Sequence, residues 1–96
     1  MNKKIIKTNK YRQLERVVRG FSNHRRIQIL ELLNNKPELS VLEISEKLKI
    51  NYKTASEHLR RLAITGLVLK RNQEVNVRHK LSPTGKFVLK FLRKLE

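Results

Sequence analysis

Apolar positions along this chain first recur with the 3.6-residue period of amphipathic helices, then with the two-residue period of strands, then with the helical period again. Tyr11, Leu14, Val17, Val18 and Phe21 fall on one arc, and Arg12, Glu15, Arg16 and Arg19 on the other, which predicts a first helix over residues 9–20 ended by Gly20. Asn23 can cap a second helix with Ile27, Leu30 and Leu33 turned inward. That helix closes at Asn34-Asn35, because a residue before proline, here Lys36 before Pro37, is pushed away from helical dihedrals. In Ser40-Val41-Leu42-Glu43 a serine and a carboxylate three positions later form a capping box, opening a third helix whose Val41, Ile44 and Leu48 share a face. Only Lys49 and Ile50 separate it from Asn51, which can cap a fourth helix running to about Thr65, with Ala55, Leu59 and Leu62 inward and Gly66 as the stop.

Residues 67–71 and 75–81 are rich in β-branched side chains, and Val75, Val77, His79 and Leu81 alternate with Asn76, Arg78 and Lys80, so a two-stranded hairpin is expected. Its connection, Arg71-Asn72-Gln73-Glu74, holds no glycine, which favours a longer loop over a tight two-residue turn. Ser82 then caps a last helix over residues 83–95, with Pro83 at the first position, where a missing amide costs nothing. The expected fold is mostly α with a small β-hairpin, an α+β arrangement of four helices, two strands and a fifth helix. One domain over residues 9–96 follows a basic arm over residues 1–8.

Length and charge narrow the reading. A chain of 96 residues has room for one modest core and often gains stability by association. Its formal charge of +15, from 23 Lys and Arg against 8 Asp and Glu, points to a polyanionic partner. The excess lies at the ends: residues 1–20 carry seven basic groups against Glu15, and residues 67–96 carry eight against Glu74 and Glu96, whereas residues 21–50 are nearly neutral. No apolar stretch approaches the roughly 20 residues needed to span a bilayer, and the opening segment is too short for a signal peptide, so a cytoplasmic protein is expected. The absence of cysteine excludes disulfides, thiolate metal sites and cysteine redox sensing in this chain.

Two short helices joined by a tight turn, the second polar and basic on its outer face, make a helix-turn-helix unit over residues 40–65. Its first helix crosses a phosphate backbone and braces the second, which enters the major groove of double-stranded DNA. Helical geometry puts Lys53, Ser56, Glu57 and Arg60 opposite the buried face, with Thr54 and Arg61 at the edges. Arg60 or Lys53 can donate to guanine, Glu57 can accept from cytosine, and Thr54 or Ser56 can meet a base or a phosphate. The apolar arc Phe87, Val88, Phe91, Leu92 and Leu95 on the last helix is too broad for one small domain to cover. With Tyr11, Leu14, Val17 and Val18 it offers a self-complementary homodimer interface.

This pattern resembles the winged helix-turn-helix regulators of the ArsR-like type, with a C-terminal end also similar to MarR-type proteins. The matching stretches are residues 23–33, 39–48, 52–62, Gly66-Leu67-Val68 and Leu81-Ser82-Pro83-Thr84-Gly85-Lys86. The resemblance implies a recognition helix over residues 51–65, a wing over 67–81, a homodimer built by the first and last helices, and transcriptional regulation, with repression as the default. It also implies DNA contacts at Ser40 and Tyr52 around the helix-turn-helix and at Lys70, Arg71, Asn72 and Arg78 on the wing. This wing lacks the glycine and repeated arginines common in such regulators, which leaves its reach open. Metal-sensing relatives carry cysteines or His and carboxylate clusters that are missing here, so neither a metal nor a cofactor is expected, and any small-molecule effector is unnamed.

Other constellations carry less. His24, His58 and His79 stand on separate elements with no second ligand three or four residues away, and His58 reads as a half-buried packing residue or a phosphate contact. Gly85-Lys86 is a helix start rather than a phosphate loop, because position 80 is Lys and Phe87 replaces the magnesium-binding hydroxyl. No paired carboxylates or nucleophile and base arrangement suggests an enzyme. The basic arm with Lys3, Lys4, Lys7, Lys10 and Arg12 either follows phosphates or is a solubilising tail. Two alternatives to a specific regulator remain, a sequence-independent architectural DNA coat and a winged-helix interaction module of a larger transcription complex.

Overall fold

A computed structural model describes residues 3–73 and 75–96, with side chains from residue 9 onward. The elements are α1 (Lys3–Phe21), α2 (His24–Asn35), α3 (Val41–Leu48), α4 (Tyr52–Ile64), β1 (Val68–Gln73), β2 (Asn76–Leu81) and α5 (Pro83–Arg93). This is the element order expected from the periodicities, and the winged helix-turn-helix arrangement that the resemblance implies.

The caps form as the side-chain chemistry dictates. Asn23 Oδ1 accepts from the amides of Arg25 and Arg26 at 2.9 and 3.2 Å, and Asn51 Oδ1 from those of Lys53 and Thr54 at 2.7 and 3.3 Å. Ser40 and Glu43 make the reciprocal capping box, with Ser40 N donating to Glu43 Oε1 at 2.9 Å and Glu43 N to Ser40 Oγ at 3.2 Å. The turn between α3 and α4 is closed by Lys49 in the left-handed region, φ 56°. Ser82 Oγ accepts from Gly85 N at 2.9 Å, with Pro83 in the first turn of α5.

One core joins the layers. Ile29, Leu30 and Leu33 of α2, Ile44 of α3, Leu59 and Leu62 of α4, Leu67, Val68 and Leu81 at the base of the hairpin, and Val88 and Leu89 of α5 pack together. The inward face of α2 is therefore rotated from the expected one, with Ile29 fully buried and Ile27 only half-buried. Val88 belongs to this core, so its expected place in a dimer interface is corrected. Val17 and Leu92 are half-buried against the same core. Among the described side chains, the apolar groups left exposed on the terminal helices are Tyr11, Leu14 and Val18 of α1, Phe87 and Phe91 of α5, and Leu95 just beyond it.

Two expectations for α1 change. The helix α1 begins at Lys3, where a free arm was expected, and passes through Gly20 to Phe21. Gly20 does not end the helix: a Cβ there would stand 2.5 Å from Thr65 Oγ1, so the glycine permits close approach of α1 and the end of α4. The two alternatives left open for the arm, phosphate contact or a solubilising tail, fall for Lys3, Lys4 and Lys7 outside the described side chains, while Lys10 and Arg12 are exposed.

The hairpin is also tighter than expected. Its antiparallel register pairs Val68 with Leu81 and runs out to Gln73 with Asn76, leaving two residues between the strands. The ladder overrides the weak turn chemistry because its base is anchored in the core. Val75, expected in a strand, is a turn residue 94% exposed, and Glu74 lies outside the described residues.

Candidate nucleic-acid interface

The helix-turn-helix is positioned from beneath by three side chains of α4, Ala55, Leu59 and Leu62, each 0% exposed. Anchoring that face turns Tyr52, Lys53, Thr54, Glu57, Arg60 and Arg61 to solvent, with Ser56 half-buried beside them. Helical spacing placed six of these on one surface, and the structure sets Tyr52, expected from the resemblance, beside them. Ser40 sits at the start of α3 with its hydroxyl already accepting the capping amide.

The charges on α4 are organised before any ligand arrives. Glu57 accepts from Arg60 through Nε at 3.1 Å and Nη2 at 2.8 Å, and from Arg61 Nε at 3.2 Å. The Arg60 hydrogen bond is the main cause that holds the Glu57 carboxyl down at about 2, so it is ionised at any physiological pH. Arg60 is shifted upward by the same carboxylate. Lys53 and Thr54, near the N-terminal end, are free of such pairing among the described residues.

His58, between this face and the core, is half-buried with Nδ1 buried and unpartnered among the described residues. Burial, then the charge of Arg26, pushes its pKa down, which favours the neutral packing role over a cationic one.

The wing is fastened to the rest of the fold by contacts that periodicity could not show. Arg71 and Arg78 stand directly opposite in the ladder, a like-charge pair that is destabilising by itself. Glu38 and Glu43 offset it: Arg71 pairs with the Glu38 carboxylate, and Arg78 Nη1 donates to Glu43 Oε1 at 3.0 Å and to the Glu38 carbonyl at 3.2 Å. Glu38 adopts φ 68°, an uncommon conformation for a non-glycine residue, held by these arginines and by its amide donating to the His79 carbonyl at 2.8 Å. His79 in turn donates from its amide to the Leu39 carbonyl at 3.0 Å, and its Nδ1 lies 2.8 Å from the same oxygen. His79 is buried and its pKa is lowered, chiefly by desolvation.

Of the four expected wing contacts, Lys70 and Asn72 are exposed without carboxylate partners among the described residues, whereas Arg71 and Arg78 are engaged. Glu38, Glu43 and Arg26 are residues the sequence reading missed. The capping box flagged Glu43 for a helix start, but nothing in sequence spacing links it to Arg78, 35 residues away.

Comparison with known proteins agrees with this geometry. A model of bacterial regulatory proteins of the arsR family matches residues 23–70, the span from the α2 cap into β1. The transcriptional activator HlyU of Vibrio cholerae serotype O1 is 36% identical over 80 residues, covering 82% of this chain and 73% of that protein. The chain belongs to the arsR family of bacterial regulatory proteins.

Among solved structures, this arsR-family chain is similar to the homodimeric winged helix-turn-helix DNA-binding domain of Mb0332 from Mycobacterium bovis. The TM-score is 0.85 at 28% identity, over 93% of this chain and 82% of that one. It is also similar to HlyU from Vibrio vulnificus, with a TM-score of 0.74 at 35% identity over 99% and 98% of the two chains. Among the described residues of this arsR-family member, no helix is long and apolar enough to cross a membrane, and no three or more His, Asp or Glu gather as a metal site would need.

Proposed function

We propose that this chain is a sequence-specific, double-stranded DNA-binding transcriptional regulator that acts as a homodimer on a palindromic operator. The observation that carries the reading is the opposition on α4, where Ala55, Leu59 and Leu62 are wholly buried while Lys53, Thr54, Glu57, Arg60 and Arg61 are exposed on the other side of the same helix. A helix so anchored can enter a major groove about 12 Å wide with its N-terminal residues at base edges.

Lys53 and Arg60 are the donors for guanine O6 and N7, Glu57 the acceptor for cytosine N4, and Tyr52, Thr54, Ser56 and Arg61 the flanking base or phosphate contacts. On the wing, Lys70 and Asn72 meet the backbone directly. Arg71 and Arg78 primarily hold the wing's angle, through Glu38 and Glu43.

Dimerisation is supported by the apolar groups that the protomer leaves uncovered. Tyr11, Leu14 and Val18 on α1, with Phe87, Phe91 and Leu95 at the other terminus, are each about half exposed or more. Packed against their symmetry mates they make an isologous interface that sets two α4 helices about 34 Å apart, one helical turn of DNA. The homodimeric state of the Mycobacterium bovis domain accords with this arrangement.

The Vibrio cholerae relative is named an activator. In this chain the sign of regulation follows from where the operator lies: a site overlapping a promoter gives repression by occlusion, the default outcome, in the cytoplasm.

Selection of bound sequences from a random duplex pool tests the proposal. A two-fold symmetric consensus with half-sites roughly 10 base pairs apart is expected. Recovery of no consensus, with binding that depends only on salt, would instead assign the +15 charge to sequence-independent coating.

A further inference from the structure

Five guanidiniums from three helices gather around one cleft of about 330 Å³, namely Arg16 and Arg19 of α1, Arg26 of α2, and Arg60 and Arg61 of α4. The cleft lies where the end of α1 crosses the end of α4, at the close approach that Gly20 allows over Thr65. Among the described residues, no carboxylate lines it. The acids that pair with its arginines are Glu15, with Arg19 at 3.2 Å, and Glu57, with Arg60 and Arg61.

Two carboxylates against five guanidiniums leave an excess of three positive charges in a concave space. The donor inventory is also far from used. Arg61 gives only Nε to Glu57, Arg16 has no acidic partner among the described residues, and Arg26 Nε is buried with no hydrogen-bond partner. Arg26 spends Nη1 on the carbonyls of Arg19 and Gly20, at 3.3 and 3.1 Å, which fixes it at the floor of the cleft. Its pKa is lowered, first by burial and then by the like charge of Arg61, and the Glu57 carboxylate offsets this only in part.

We propose that this cleft is a phosphate site, adjoining the base-reading face of α4 and sharing Arg60 with it, that takes a multiply charged phosphate group between Arg16, Arg26 and Arg61. Planar guanidinium forks match phosphate oxygens in geometry as well as charge. The size of the cleft suits a diphosphate-sized group, near the lower end of small-ligand pockets. Because Arg61 belongs both to this cleft and to the α4 surface, a phosphate bound here competes with Glu57 for it and alters the charge α4 presents to DNA.

Such a group can come from a free phosphorylated small molecule or from the DNA backbone, and only the second source rests on the DNA-binding reading. The test uses the full chain, isotopically labelled, with sodium pyrophosphate as the first probe and a duplex recovered by selection as the second. Two double variants are compared, Arg16→Gln with Arg19→Gln in the cleft, and Lys36→Gln with Lys90→Gln as a charge-matched control outside it. Arg26 is left intact because it braces the α1 carbonyls.

For a free ligand, pyrophosphate shifts the amides of Gly20, Arg26 and Thr65 saturably, one equivalent per protomer. The cleft variant then binds about tenfold or more weakly, and the control binds as wild type. For the DNA backbone, the cleft variant loses about tenfold in duplex affinity and its salt slope falls by roughly one to two. If no duplex is selected, the pyrophosphate arm stands alone. Absence of saturable pyrophosphate shifts together with unchanged duplex affinity overturns the proposal, as does an equal loss in the cleft and control variants.

Discussion

Gly85→Ala perturbs the point where the wing meets α5. Gly85 is buried, and a Cβ on it would stand 2.1 Å from the Leu67 carbonyl oxygen and 3.1 Å from the Leu67 carbonyl carbon. Ordinary contact begins more than an ångström beyond the distance to that oxygen. The obstacle is backbone, and the same oxygen accepts from Ser82 N at 3.1 Å, so moving it also disturbs the cap of α5. Overpacking of this kind costs about 1–3 kcal/mol, and with no flexible side chain to yield, the upper part of that range is expected. For a domain of this size each kcal/mol lowers the melting temperature by about 4–8 °C, so a drop of roughly 10–20 °C follows.

Thermal unfolding followed by far-UV circular dichroism checks this, at one fixed protomer concentration because association raises apparent stability. Gly66→Ala is the contrast. Its φ of 79° strains any side chain but nothing lies within 4 Å of the added Cβ, so about 1–2 kcal/mol is lost from backbone strain alone. A Gly85→Ala protein melting within about 2 °C of wild type would refute the close-approach reasoning.

Val88→Ala should cost roughly 1–3 kcal/mol in a way that does not depend on protein concentration, because Val88 packs in the protomer's own core. Phe87→Ser with Phe91→Ser should instead shift the sedimenting species from dimer to monomer while helicity is kept. Loss of dimer in the Val88 variant alone would reverse the assignment of these faces. Acidification tests the buried His79. Its folded pKa lies below the ordinary 6.5, so the unfolded chain binds more protons, and the stability it contributes is present above pH 6.5 and lost as pH falls through the folded value. Urea titrations at pH 7.5 and 5.0 should show this fall, and His79→Gln should flatten it; an equal fall in the variant would place the effect elsewhere, His58 being the next candidate.

Much of this fold was legible because its boundaries are written in local chemistry. Asn23, Ser40, Asn51 and Ser82 each accept amides at a helix start, and Ala55, Leu59 and Leu62 fall three or four residues apart on a helix polar elsewhere. The expected reading face of α4 follows from that one stripe. What sequence spacing could not supply were contacts between distant segments. Gly20 looked like a stop because glycine favours helix ends, but its lack of a Cβ serves packing against Thr65. Glu38 and Glu43 lie more than 30 residues from the wing arginines they hold. Val88 shares an apolar arc with Phe87 and Phe91, and only the packed fold shows which of them its own core takes. The arginine cleft likewise depends on three helices converging, which no single helix announces.

The central claim is that the exposed face of α4 distinguishes one DNA sequence from another. The direct measurement is the ratio of affinities for a selected duplex and a scrambled duplex of equal length, at one salt concentration, for wild type and for Lys53→Ala with Arg60→Ala. Wild type should prefer the selected duplex by about 10³-fold or more. In the double variant the ratio should collapse toward unity while salt-dependent binding to both duplexes persists. A variant that keeps the wild-type ratio would contradict the account and move sequence reading away from α4.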